Sequence, residues 1–221
     1  MLLSFVSRIN ILDYFWQAAD KLNIPFNKNL LSQFEIYFQE LVTWNKKINL
    51  TRITERKRVF IEHFLDSLVP QKFIPIGNNL VDLGSGGGFP GVPLKIIRPD
   101  LSITLIDSSL KKIVFLEHLI QLLGLSDIDV FHFRLSENQS PLNRSYRVCI
   151  GRALAPLKRF LALALPLKSP QGIIIAMKGP NFLKELKEAN AFISANKISL
   201  VKVEEFILPL VHKKRAILVF N

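Results

Sequence analysis

Apolar side chains follow two rhythms along the chain, and the change between them falls near residue 76. Leu30, Leu31, Phe34, Phe38, Leu41 and Val42 recur at the three-to-four-residue spacing of one helical face, and Val59, Phe60, Phe64 and Leu68 repeat it. Met1 to Asp20 carries Arg8 and Asp13 inside an amphipathic pattern, with no basic stretch ahead of an apolar run, and reads as a helix rather than a leader. No strand-like run occurs in the first seventy residues. From Asn79 onward, short apolar runs alternate with helical ones. Strands are predicted at 79–83, 102–106, 128–133, 147–151 and 172–177, and helices at 90–98, 110–123 and 181–196. Units of this kind build a largely parallel sheet.

The last two apolar runs, 198–208 and 215–220, are separated only by Pro209 to Lys214. That link is too short for a helical crossover, so it implies an antiparallel hairpin. The expected fold is α/β and Rossmann-like, a mostly parallel seven-stranded sheet ending in an antiparallel hairpin. Five parallel strands closed in this way point to the methyltransferase variant of the doubly wound fold, because a dehydrogenase more often continues with parallel strands. Residues 1–75 are expected as a helical extension packed on the core, and 76–221 as the cofactor-binding domain.

Composition narrows the class. Nearly half of the 221 residues are apolar, enough for one substantial core and a small appendage. The longest apolar stretch, 160–177, is interrupted by Lys168 and falls short of a membrane span. One cysteine, Cys149, cannot form an internal disulfide, and a cytoplasmic location is expected. Twenty-nine Lys and Arg against eighteen Asp and Glu give a formal charge of +11, the sign of a protein that meets a polyanion. The four histidines are too scattered for a metal site, so no metal is expected. A monomer is the working expectation for the assembly.

Chemistry concentrates where the first strand runs into Gly84-Ser-Gly-Gly-Gly-Phe-Pro-Gly91. Glycines let the backbone turn sharply and approach a ligand, and Pro90 suits a first helical turn. Gly86, Gly88 and Gly91 match the dinucleotide fingerprint G-x-G-x-x-G. Asp82, just ahead of the first glycine, would meet a pyrophosphate unfavourably and would suit a cationic amino-acid moiety, which favours S-adenosylmethionine. Asp107 closes the second strand, where an acid accepts hydrogen bonds from a ribose diol in either cofactor class.

With the loop Asp82-Leu-Gly-Ser-Gly-Gly-Gly-Phe-Pro-Gly-x-Pro-Leu94 in hand, the chain resembles the ribosomal RNA small subunit methyltransferase G family, the GidB type. Trp44-Asn-Lys-Lys-Ile-Asn-Leu-Thr51, His63-Phe-Leu-Asp-Ser67, Asp107-Ser108, Arg152-Ala153 and Met177-Lys-Gly179 follow in the family's order, so the resemblance covers roughly 30–221. It implies S-adenosylmethionine as cofactor, guanine N7 of 16S rRNA as acceptor and the small ribosomal subunit as partner. It also implies cofactor contacts at Gly84, Gly86, Phe89, Asp107, Leu135, Ser136 and Arg152. At Ser136 many relatives carry an acid, and here Glu137 follows instead.

The residues bear on that chemistry independently. Guanine N7 carries an in-plane lone pair, so no general base is expected, and catalysis rests on alignment. The chain lacks the Asp/Asn-Pro-Pro-aromatic tetrapeptide of exocyclic-amine methylases. Cys149 lies in an apolar run and reads as a buried structural thiol, which disfavours methylation at cytosine C5. Lys111, Lys112, Arg134, Arg152, Lys178 and Arg215 border the expected crevice and are candidates for RNA phosphates, with Arg152 and Lys178 also candidates for substrate positioning. Arg52, Arg56, Lys57 and Arg58 extend the basic surface. His63, Asp66 and Ser67 fall within one helical turn without the glycine-flanked serine of a hydrolase, and read as helix packing or as part of a pocket wall. A non-catalytic RNA-binding protein on the same fold and a small-molecule methyltransferase are the alternatives, with a dehydrogenase last.

Overall fold

A computed structural model describes residues 11–137 and 145–221. The first ten residues of the amphipathic stretch lie outside that range, and its remainder forms α1 (Ile11–Lys21). The predicted face on α2 (Leu31–Asn45) buries Phe34, Tyr37 and Leu41, so the tyrosine, rather than Phe38, continues the apolar line inward. A third helical run starts at α3 (Arg56–Arg58), widens to π geometry over Val59–Leu65, and returns to α form in α4 (Asp66–Leu68). It then tightens to 3-10 over Val69–Phe73, where Pro70 begins the final turn. Widened π turns recur at functional sites, and this one carries Glu62 and His63.

Seven strands follow in the sheet order β3-β2-β1-β4-β5-β7-β6. β1 (Asn79–Leu83), β2 (Ser102–Asp107), β3 (Ile128–His132), β4 (Tyr146–Arg152) and β5 (Lys168–Lys178) are mutually parallel. β7 (Lys213–Phe220) pairs antiparallel with both β5 and β6 (Leu200–Leu208), as the short link requires. The crossovers are α5 (Gly91–Ile97), α6 (Leu110–Leu122) and α7 (Leu157–Ala164), and α8 (Phe182–Ala195) leads into the hairpin. The order reverses between β1 and β4, and in open α/β sheets ligands bind at such a switch, outside the carboxyl ends of the strands.

Successive residues of β1 alternate between the two faces, Leu80 packing with the N-terminal helices and Val81 and Leu83 with α7 and α8. Phe15, Phe34, Phe60, Phe64 and Tyr37 form one aromatic series with ring centroids about 5 Å apart, and Tyr37 stacks on Phe89 of the glycine loop at 5.4 Å. The N-terminal helices therefore share one core with the sheet and reach the underside of the loop. No helix among the described residues is long and apolar enough to cross a membrane.

Candidate active site

The loop after β1 is held by its own backbone and by two acids. Gly84 and Ser85 donate to the Ile106 carbonyl, and Gly88 and Phe89 donate to Ser85, which closes the turn. Gly84, Gly86 and Gly88 all sit at positive φ, where a side chain costs energy. Asp107 Oδ2 accepts from the Gly86 amide at 2.9 Å, and its Oδ1 accepts from the Ser109 amide at 2.9 Å. Asp82 is fully buried beneath the loop, its Oδ2 accepting from the Gly91 amide at 2.9 Å. Its Oδ1 is buried without a hydrogen-bond partner among the described residues. Its side chain points to the helix face of the sheet, burial pushes its carboxyl up to about 7, and it anchors the start of α5.

A first cleft of about 480 Å³ opens above this loop. Gly84, Asp107 and Ser108 line one side, Phe133, Arg134 and Leu135 another, and Leu154 and Leu163 complete the apolar walls. A Cβ on Gly86 would meet nothing closer than the Gly84 carbonyl at 3.9 Å, so the backbone there is open to a ligand. A carboxylate beside a bare backbone and apolar side walls fits a nucleoside with its diol toward Asp107. Lys112 and Arg159 also border this cleft, whereas Lys111 is exposed on α6 away from it.

A second cleft, of about 600 Å³, shares Ala153 and Ala155 with the first. Glu62, Asp66, Arg152, Lys178, Glu185 and Arg215 give it a charged lining, part of which is a helix-to-strand match. Glu62 and Asp66 lie four residues apart on the π turn and α4, and Lys213 and Arg215 lie two apart on β7, spacings that both span roughly 6 Å. Glu62 accepts from Arg58 and Lys213, each at 2.5 Å, and these two hold its carboxyl below the usual range although burial raises it. Asp66 Oδ2 accepts from Arg152 at 3.3 Å and Arg215 at 3.2 Å. Burial pushes the Asp66 carboxyl up against the pull of both cations.

The model of the rRNA small subunit methyltransferase G family matches residues 30–217. The chain belongs to that family. It is 38% identical over 209 residues to the ribosomal RNA small subunit methyltransferase G of Desulforamulus reducens, covering 93% of this chain and 87% of that protein. To the protein of the same name from the Aster yellows witches'-broom phytoplasma it is 40% identical over 210 residues, covering 94% and 98%. Among solved structures, a SAM dependent methyltransferase from Aquifex aeolicus superposes with a TM-score of 0.55 at 18% identity, covering 81% of this chain and 97% of that one. The ribosomal protein L11 methylase of Lactobacillus delbrueckii gives 0.56 at 13% identity, covering 72% and 78%. These two likenesses establish the fold as that of the class.

In this member of the methyltransferase G family, the glycine loop, the π turn and the end of β4 meet in space through Arg152. Its guanidinium donates to the Glu62 carbonyl at 3.0 Å, to Asp66 and to His63 Nδ1 at 3.1 Å, and lies 4.9 Å from the Phe89 ring centre. Arginine is only a donor, so Nδ1 accepts and the proton of His63 sits on Nε2, 2.7 Å from Thr51 Oγ1. Thr51 is fixed in turn by Asn45, whose Oδ1 accepts from the Leu50 and Thr51 amides at 2.8 and 2.9 Å. Asn45 and Thr51 belong to the Trp44–Thr51 stretch singled out in the sequence without a role, whereas Tyr37, whose hydroxyl donates to the Gly87 carbonyl at 2.5 Å, carried no sequence signal for this site. Arg159 likewise drew none. Arg152 lines the second cleft, and Phe89 lies beneath the loop, stacked with His63 at 4.6 Å. Leu135 lines the first cleft and Ser136 follows it, half-buried. Lys178 is 7% exposed and tied to Glu185 at 2.8 Å, not held out to solvent as a phosphate grip requires. Cys149 is fully buried, which pushes its thiol well up.

Burial and the Arg152 charge lower His63 to about 3. The unfolded chain takes up this proton near 6.5, so unfolding binds protons between the two values and stability falls as pH drops below 6.5. This contribution approaches about 1.4 kcal/mol per pH unit. Asp82, raised from 3.8 to about 7, contributes the opposite slope over its own window, so total stability masks the effect. Comparison with His63→Gln isolates it. In urea unfolding at pH 7.5, 6.5 and 5.5, wild type is expected to lose stability relative to the variant over the last step. A difference independent of pH contradicts a buried neutral histidine.

Proposed function

We propose that the protein transfers a methyl group from S-adenosylmethionine to N7 of a guanine in the 16S rRNA of the small ribosomal subunit. The observation that carries this reading is the meeting of two clefts at Ala153 and Ala155, one beside the glycine loop and one beyond it, in a member of a family whose relatives are named ribosomal RNA small subunit methyltransferase G. When bound, S-adenosylmethionine supplies a sulfonium methyl; the N7 lone pair forms the new N–C bond, the C–S pair stays on sulfur, and the positive charge passes to the base. Gly84 and Gly86 would take the cofactor against bare backbone, Asp107 would accept from the ribose diol, and Leu135 and Ser136 would flank the adenine. Phe89 and Arg152 act from below and beside the loop, fixing its position.

The second cleft suits a planar uncharged base better than a phosphate. Each lining cation already has a carboxylate partner: Lys178 is paired with Glu185, and Arg152 and Arg215 share Asp66, while Glu62 is held by Arg58 and Lys213. Apolar Ile53, Pro156, Met177 and Phe206 supply surfaces for the ring. The carboxylates also tolerate the cationic product, and no residue needs to remove a proton. Phosphates fit the outer cations, Lys112, Arg134 and Arg159 beside the first cleft, Lys111 farther out on α6, and the exposed part of Arg215 beside the second cleft.

Asp107→Ala tests the division of labour. It removes a charge-assisted acceptor for the ribose and the anchor of the Gly86 amide, so cofactor affinity is expected to fall about tenfold to a hundredfold. Affinity for small subunits is expected to stay within a few fold. Calorimetry with S-adenosylmethionine and filter binding of subunits read the two separately, and normal cofactor affinity with lost RNA binding would reverse the assignment. Tritium transfer from labelled S-adenosylmethionine to small subunits, but not to small molecules or protein, tests the substrate class.

A further inference from the structure

The wall shared by the two clefts is a segment without regular structure. Between Arg152 at the end of β4 and Leu157 at the start of α7, the chain turns through Ala153, held at φ +55, and lays Leu154 over Gly84. Ala153 and Ala155 face both clefts. A segment of this kind keeps its position only if its ends are fixed. The first end is fixed by the contacts of Arg152 with Glu62, His63 and Asp66.

The other end is fixed by a pair from two other elements. Lys178, the last residue of β5, donates to the Ala155 carbonyl at 2.7 Å and to Glu185 Oε2 at 2.8 Å. The same Glu185 oxygen accepts from the Leu157 amide at 2.7 Å. One ion pair thus grips the segment on both sides of Pro156, satisfying a carbonyl before it and an amide after it. Lys178 has its charge matched and is almost wholly buried, and Glu185, in the first turn of α8, is about a quarter exposed.

We infer that Lys178 and Glu185 are positioning residues for methyl transfer, a staple that sets the Ala153–Ala155 wall and hence the line between donor and acceptor, rather than contacts for RNA phosphate. This rests on the methyl-transfer reading of the two clefts. Displacements of about 1 Å in a reacting pair cost on the order of a hundredfold in rate, so loosening the wall should be felt in turnover and in cofactor affinity. Phosphate binding, made by outer cations, should not change.

The two roles predict different outcomes for Glu185→Gln. As a staple, Glu185→Gln lowers kcat on small subunits by roughly 10- to 100-fold and weakens S-adenosylmethionine severalfold, with RNA affinity and its salt slope unchanged. Lys178→Met does the same, and Lys178→Arg, which can still donate to both partners, retains more activity than Lys178→Met. As a phosphate grip, Lys178 would be released by Glu185→Gln, so RNA would bind more tightly with a salt slope steeper by about one or less. That result, or wild-type kcat and cofactor affinity in folded Glu185→Gln, overturns the inference. Calorimetry without RNA keeps the test independent of the substrate: if wild type binds the cofactor yet methylates no subunit, the proposed substrate fails and the cofactor affinities still decide the staple. Should Lys178→Met not fold, Glu185→Gln, a near-isosteric change at a partly exposed site, decides alone.

Discussion

Gly84→Val is expected to abolish cofactor binding in a protein that still folds. Gly84 has a φ of +71, a region that a β-branched residue enters only at a cost of about 1–3 kcal/mol. A Cβ there would lie 2.5 Å from Leu154 Cδ1, so Leu154 would have to move within the cleft whose wall it forms. Valine would add further atoms along the edge where the backbone meets the ligand. Strain and lost contact together predict at least a hundredfold weaker S-adenosylmethionine binding, which calorimetry reads directly. Gly86→Ala is the graded comparison: its φ of +58 imposes strain, but its Cβ meets only the Gly84 carbonyl, at 3.9 Å, so a loss nearer tenfold is expected. Unchanged affinity in folded Gly84→Val would remove the loop from the site.

Arg152→Ala is expected to damage the fold and the site together. Removing the guanidinium leaves the Glu62 and His63 carbonyls without this donor and leaves Asp66, 3% exposed, with Arg215 as its remaining cation. Breaking a buried pair by deleting one partner costs about 3–5 kcal/mol, a large share of the roughly 5–15 kcal/mol that holds a domain together. The loss should appear as a lowered urea midpoint with unchanged m, and as loss of transfer activity even at temperatures where the variant is folded. Arg152→Lys should recover little, because an ammonium cannot reach the carbonyls, Asp66 and His63 with one fork. A variant as stable as wild type would show that the ties between the π turn and β4 are surface decoration.

The sheet was legible because its strands are short apolar runs set between helical ones, and the short link after Leu208 left one way to pair the hairpin. The glycine loop and Asp107 were legible for a related reason: positive φ and a strand-end acid demand particular residues. What remained hidden depends on which way a side chain points. Asp82 and Asp107 both sit at strand ends, yet alternation along β1 turns Asp82 into the helix layer while Asp107 faces the first cleft. Lys178 ends β5 and borders a cleft, but its partner Glu185 lies seven residues on in a helix, a pairing no periodicity announces. The chain from Asn45 through Thr51 and His63 to Arg152 joins three sequence motifs only when the π turn is packed against the end of β4.

The chemical identity of the product tests the central claim most directly. Small subunits lacking the modification are incubated with the protein and S-adenosylmethionine, the 16S rRNA is extracted, and it is treated with borohydride and then aniline. Methylation at N7 makes the imidazole ring reducible and the strand cleavable at that nucleotide, whereas methyl groups on exocyclic amines, ring carbons or ribose leave it intact. The account predicts one new enzyme-dependent cleavage at a guanine, absent without cofactor and absent with Gly84→Val. Methyl incorporation into the RNA without cleavage, or incorporation only into protein or small molecules, would contradict it.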